Sequence, residues 1–154
     1  MKGKDVAFRF SLERLLRYRE FLRDQAKQYL AEALGRRLEV EQDLLNLRSE
    51  LEKHYAMLEG IQKKGTDIAH LLLFREYISR LKEQATKLEK QLEKAEKEVA
   101  KVRRILATRQ SDVKALESLK ERDFRRYLEK IRRSEQERLD EIACLICKPG
   151  KDHG

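Results

Sequence analysis

Apolar residues recur along this chain at alternating steps of three and four, separated by charged ones. The longest such series is Leu71, Phe74, Ile78, Leu81, Ala85, Leu88, Leu92, Ala95, Val99, Val102 and Leu106. That spacing marks a helix that buries a narrow seam against another helix. Arg109 breaks the series, and Val113 and Leu116 resume it. A wider stripe of Leu119, Phe124, Tyr127, Leu128, Ile131, Leu139 and Ile142 then carries on to Pro149 and Gly150, which are expected to stop the helix. An earlier series runs through Leu12, Leu15, Leu22, Ala26, Leu30, Ala33, Val40, Leu44, Leu47, Leu51, Leu58 and Ile61, with Arg19, Arg37 and His54 at its gaps. Its step from Ala26 to Leu30 is four where three is due, and Gly35 costs about 1 kcal/mol relative to Ala. Local unwinding or bending is therefore expected there. Ser11 stands where an N-cap would start this first helix.

Between the two series lies GIQKKGTD, from Gly60 to Asp67. Gly60 suits the left-handed position just past a helix, Ile61 can pack back on Tyr55 or Ala56, and Gly65, Thr66 and Asp67 read as a turn into an N-cap. The pattern predicts an all-α fold, one antiparallel coiled-coil hairpin spanning 1–154. Its parts are a helix over about 11–59, a hinge over about 60–67, a longer helix over about 68–145 and a short tail over 146–154. At about 1.5 Å per residue the arms measure roughly 75 and 120 Å. With the hinge centred near Lys64, residues whose numbers sum to about 128 face one another, which sets Leu44 near Ala85 and Phe8 and Phe10 opposite the region of Leu119. The last 25 or so residues then lack a partner in the chain, and their apolar stripe becomes a docking surface.

Composition narrows the class. Charged residues make up 42% of the 154, aromatics 6%, and there is no Trp, which fits long helices rather than a compact globule. The 40% apolar content is too high for a disordered chain. A net charge of +8 asks for an acidic partner without choosing among protein, nucleic acid and membrane surface. No run reaches the roughly 20 apolar residues of a bilayer span, and MKGKDVAF lacks the apolar core of a signal peptide. A cytoplasmic location without membrane insertion is expected. Cys144 and Cys147 build no disulfide framework. With only His153 nearby they leave zinc a ligand short, so no metal site is expected. The chain offers no phosphate-cradling loop, no nucleophile motif and no paired catalytic carboxylates, and a hairpin has no cavity to shield a reaction from water. The sequence predicts no catalytic residue, no cofactor and no enzyme.

Two stretches carry a resemblance: LESLKERDFRRYLEKIRRSEQERLDEIA over 116–143 and FRFSLERLLRYRE over 8–20. Together with the length and hinge they resemble the FliJ family, coiled-coil components of the bacterial flagellar type III export apparatus. The resemblance covers nearly the whole chain. It implies an antiparallel two-helix coiled coil similar to part of the central stalk of rotary ATP synthases. It also implies that the joined termini enter the hexameric ring of the export ATPase FliI, that the export gate protein FlhA is contacted as well, and that the protein acts as a general chaperone or escort of the export machinery, with export chaperones as candidate partners. The location implied is peripheral, at the cytoplasmic face of the cell membrane.

Carried onto this sequence, the ring-binding candidates are Phe8, Phe10, Leu119, Arg122, Phe124, Arg125, Arg126, Tyr127, Ile131, Arg132, Arg133 and Arg138. These cations, with Lys120 and Lys130, could meet carboxylates lining a ring. They could equally be a solvated face paired at helical spacing with Glu117, Glu121, Glu129 and Glu137, each pair worth about 0.2–0.5 kcal/mol. The gate-binding candidates are Leu73, Tyr77 and Leu81. Leu72, Leu73 and Tyr77 lie off the seam, where apolar residues form either a loop-packing staple or a binding patch. Two alternatives remain. One is a basic arm that binds nucleic acid, although the interspersed acids dilute the field such an arm requires. The other is a plain structural spacer.

Overall fold

The computed structural model describes residues 7–65 and 67–147. Two helices make up nearly all of it, α1 over Glu13–Lys64 and α2, the longer, over Ile68–Ile146. They pack as an antiparallel helical hairpin. No described helix is long and apolar enough to cross a membrane.

The turn is tighter than its sequence implies. α1 runs through Gly60 without a break, and among the described residues Gly65 alone carries a positive φ, 68°. A left-handed residue ends a helix because its rotated peptide can no longer donate back along the axis, and Gly adopts it without a Cβ clash. Gly65 therefore takes the role expected of Gly60, and Ile61 stays in the seam, half-buried, instead of folding back past a cap. The Asp67 carbonyl accepts from Leu71 N–H at 3.2 Å, so Asp67 opens α2 as expected. Thr66 lies outside the described residues. At the other end of α1, the Phe10 carbonyl accepts from Glu13 N–H at 3.2 Å and the Leu12 carbonyl from Leu16 N–H at 2.9 Å. The cap position thus falls on Leu12 rather than Ser11.

The first seam also differs from the expected one. Leu16 is 3% exposed whereas Leu12 and Leu15 are each 39% exposed. Starting from Leu16, the buried and half-buried positions run through Arg19, Arg23, Ala26, Leu30, Ala33, Arg37, Val40, Leu44, Leu47, Leu51, His54 and Leu58 to Ile61, in unbroken steps of three and four. The apparent misstep at Ala26 came from phasing the series on Leu15 and Leu22. The seam enters instead through two arginines, whose aliphatic stems can lie along a seam while their charges reach its rim. α1 continues through Gly35 as α-helix. On α2 the expected positions from Leu71 to Leu106 are all buried or half-buried. Arg109 does not interrupt the phase: it occupies the next seam position, half-buried, and Val113, Leu116, Lys120, Asp123 and Tyr127 follow in step.

The packing divides into two compact units. Arg23–Thr108 is one; the other joins the segment up to Leu22 with the segment from Arg109. In the first unit, Leu44, Leu47, Leu81 and Ala85 form a buried cluster flanked by Leu51, Leu88 and Leu92. In the second, Phe10, Leu16, Val113 and Leu116 do so, with Phe8 packed against them. Leu16, near the start of α1, thus clusters with Val113 and Leu116, and Leu44 and Leu47, farther along it, cluster with the lower-numbered Leu81 and Ala85, as an antiparallel pair must.

Candidate functional site

In the unit that holds the chain ends, the short segment before α1 lays aromatic side chains on α2. The Phe8 ring meets Phe124 edge-on with centroids 5.3 Å apart and tilts over Tyr127 at 5.5 Å; Phe124 and Tyr127 are 6.4 Å apart. Aromatic pairs in this range add about 0.5–1.5 kcal/mol beyond the area they bury. Ion pairs fasten the same stretch: Lys120 Nζ to Glu13 Oε2 at 3.0 Å and Arg19 Nη1 to Asp112 Oδ2 at 3.2 Å. Pairing thus extends to Tyr127, beyond the expected limit near Leu119. Beside it, Phe8, Arg9, Asp123, Arg126, Tyr127 and Lys130 line an open recess of about 720 Å³.

Residues 128–147 are all exposed among the described residues. Leu128, Ile131, Leu139, Ile142 and Ile146 share one side of α2, at steps of three, eight, three and four. The cations around them divide into two groups. Arg125 reaches Glu121 at 2.6 Å and Arg133 reaches Glu129 at 3.1 Å, both one turn apart on the helix surface, so the solvated-face reading holds for these two. Among the described residues Arg122, Arg126, Lys130, Arg132 and Arg138 make no such pair. Of the ring-binding candidates, the structure brings Phe8, Phe124, Arg126 and Tyr127 together and leaves Leu119 and Ile131 exposed. Phe10 is a correction. At 7% exposure inside the Leu16 cluster it is a core residue, because its side chain points into the gap between the helices, and it has no surface to offer.

In the Arg23–Thr108 unit the candidates beside the hinge separate in the same way. Leu73 is 66% and Tyr77 44% exposed. Leu81, at 5%, belongs to the core with Leu44 and Leu47, since it holds a seam position, and cannot be a surface contact. His54 Nδ1 donates to the Glu50 carbonyl at 2.6 Å, and its ring lies 5.7 Å from Phe74 and 5.0 Å from Tyr77. One edge of Tyr77 is thereby held while the rest faces solvent. Ile68 and Leu72, also exposed, extend the apolar surface.

Sequence reasoning passed over Tyr18 and Phe21, which are exposed on α1 within the chain-end unit. Two aromatics three apart and off the seam were the available signal. Cys144 and Cys147 are both free and exposed, and no group of three or more His, Cys, Asp or Glu gathers anywhere among the described residues.

Residues 8–147 match the family model described as Flagellar FliJ protein. Among solved structures, a YscO homologue from Chlamydia trachomatis is similar with a TM-score of 0.60 and 22% identity, over 96% of this chain and 100% of that one. At this identity the likeness is one of fold. No curated protein matches the sequence significantly.

Proposed function

The chain belongs to the FliJ family of flagellar proteins, and from that premise we propose that it is a non-enzymatic stalk and escort component of the flagellar type III export apparatus. In this reading the end of α2 docks in the ring of the export ATPase FliI, the surface beside the hinge meets the export gate FlhA, and the protein works at the cytoplasmic face of the membrane. Export chaperones are further partners. The observation that carries the ring contact is the run of residues 128–147: wholly exposed, apolar along one side, and carrying Arg132 and Arg138, which form no ion pair among the described residues. A helix is held mainly by burying an apolar face, so a segment with nothing to bury against gains most from a partner. Inside a ring of near-equivalent subunits, charge-assisted contacts that tolerate sliding serve better than one deep pocket. For the gate, Leu73 and Tyr77 supply an exposed apolar patch within the Arg23–Thr108 unit.

The test is the hydrolysis rate and hexamer content of a purified export ATPase with substoichiometric full-length protein or with a chain ending at Tyr127. The cut falls after Tyr127 because Phe8 packs on Phe124 and Tyr127, and a shorter chain would confuse loss of docking with loss of fold. The full chain is expected to stimulate hydrolysis and the shortened one to bind at least tenfold more weakly. Full stimulation by the shortened chain would reduce residues 128–147 to a tether. For the gate, Tyr77→Ala should weaken FlhA binding and leave ATPase stimulation unchanged; equal loss of both would refute two separate contacts. Retarded migration of tRNA or duplex DNA that vanishes with salt would instead favour the nucleic-acid arm.

A further inference from the structure

We propose that Cys144 and Cys147 are half of a metal site, completed by the same two residues of a second copy of this chain, and that it takes a soft, tetrahedral divalent ion of the zinc class. The thiols lie at the end of the 128–147 segment and have no role in the ring contact proposed above, but a chain joined to a second copy through them is not docked there at the same time.

Both thiols are free and exposed, Cys144 on the final turn of α2 and Cys147 directly after its last residue. Cys147 N–H donates to the Ala143 carbonyl at 2.8 Å, so the helical turn that begins at Ala143 carries the backbone up to the second cysteine. Residues three apart on a helix have Cβ atoms about 5–6 Å apart. Zinc–sulfur bonds of about 2.3 Å in a tetrahedron set the sulfurs roughly 3.8 Å from each other. Rotation about the two χ1 torsions is therefore enough to aim both thiolates at one ion, without moving backbone.

One chain does not complete the site. No third His, Cys, Asp or Glu joins the pair among the described residues, and Asp140, one turn back, accepts instead from the Gln136 amide at 3.1 Å. Structural zinc sites have four ligands, four thiolates among the preferred sets, and a second terminal turn supplies the missing two. Nothing described covers this turn: Leu145 and Ile146, between the thiols, are 70% and 77% exposed. A second copy laid against them would remove that apolar surface from water and shield the metal–sulfur bonds. Four thiolates on a divalent ion keep a double negative charge. Binding releases the thiol protons, so affinity rises with pH.

The test uses the full chain, reduced with a phosphine, stripped with EDTA and titrated with Co²⁺ and then Zn²⁺, followed by visible absorption and light scattering. The expected result is the spectrum of tetrahedral cobalt thiolate, an end point of one ion per two chains, a doubled mass, and reversal by EDTA. The double variant C144S/C147S, whose changes fall on exposed positions, should keep its helical circular dichroism and lose affinity at least tenfold; His153→Ala should change neither spectrum nor stoichiometry. One ion per chain at unchanged mass, absence of the cobalt spectrum, or loss of binding in His153→Ala would overturn the proposal. So would a dimer that persists in EDTA and disappears only on reduction, which is a disulfide.

Discussion

Leu12 and Leu16 stand one turn apart with the same side chain, and packing gives them opposite roles. Leu16 closes the cluster with Phe10, Val113 and Leu116, whereas Leu12 keeps over a third of its surface in water. Leu16→Ala should lower stability by about 2–4 kcal/mol through lost transfer energy and the cavity left behind; Leu12→Ala should lower it by less than about 1 kcal/mol. Urea denaturation followed by circular dichroism separates the two, and equal effects would mean that the seam is phased on Leu12. The same scale governs the ion pairs. Arg19 and Asp112 both remain about one-third exposed, so a double-mutant cycle should give a coupling below about 1 kcal/mol, shrinking as salt is raised. The pair fixes register more than it stabilises. Charged residues in the seam explain why the first series was misphased from sequence: the pattern was read from apolar side chains, and Arg19 and Arg23 are half-buried seam residues whose stems hydropathy does not credit.

Among the elements, the turn separates two glycines that sequence treats alike. Neither has any atom within 4 Å of where a Cβ would sit, but Gly65 alone has a left-handed backbone. Gly65→Ala should therefore destabilise by about 1 kcal/mol from backbone strain, while Gly60→Ala, inside α1, should stabilise by about 0.5–1 kcal/mol. Thermal melts of the two variants should shift in opposite directions. A stabilising Gly65→Ala would place the helix end elsewhere. Either glycine could have ended the helix on local grounds. Lys63 and Lys64 in the last turn complement the helix dipole, and that end lies past Ile61, whose place in the seam is kept only if α1 continues through Gly60.

For the whole molecule the decisive expectation is which residues face each other. In a C144S/C147S background, cysteines at Leu44 and Ala85 should form a disulfide within one chain, since both belong to one buried cluster. A parallel dimer would instead link like positions between chains, and Leu44→Cys alone would then crosslink. Partner binding belongs to this scale too. The stretch of residues 128–147 is marked by what is missing around it, and the gate candidates lose Leu81 to the core while keeping Leu73 and Tyr77.

Sequence by itself determined the two helices, the second seam, the reversal between them and the excess of α2 over α1. These follow from periodicity and from Gly and Asp at a turn, which act over neighbouring residues and need no knowledge of the opposite helix. The FliJ resemblance was likewise legible, in the aromatic start and the terminal Tyr-containing stretch that the family model also spans. Tertiary packing decided what depends on the opposite helix: the phase of α1 at Leu16, the choice of Gly65, the burial of Phe10 and Leu81, and the extension of pairing to Tyr127. Each is a choice between local alternatives nearly equal in energy. Only the apolar surface buried across the helix interface separates them, and that surface does not exist until both helices are in place.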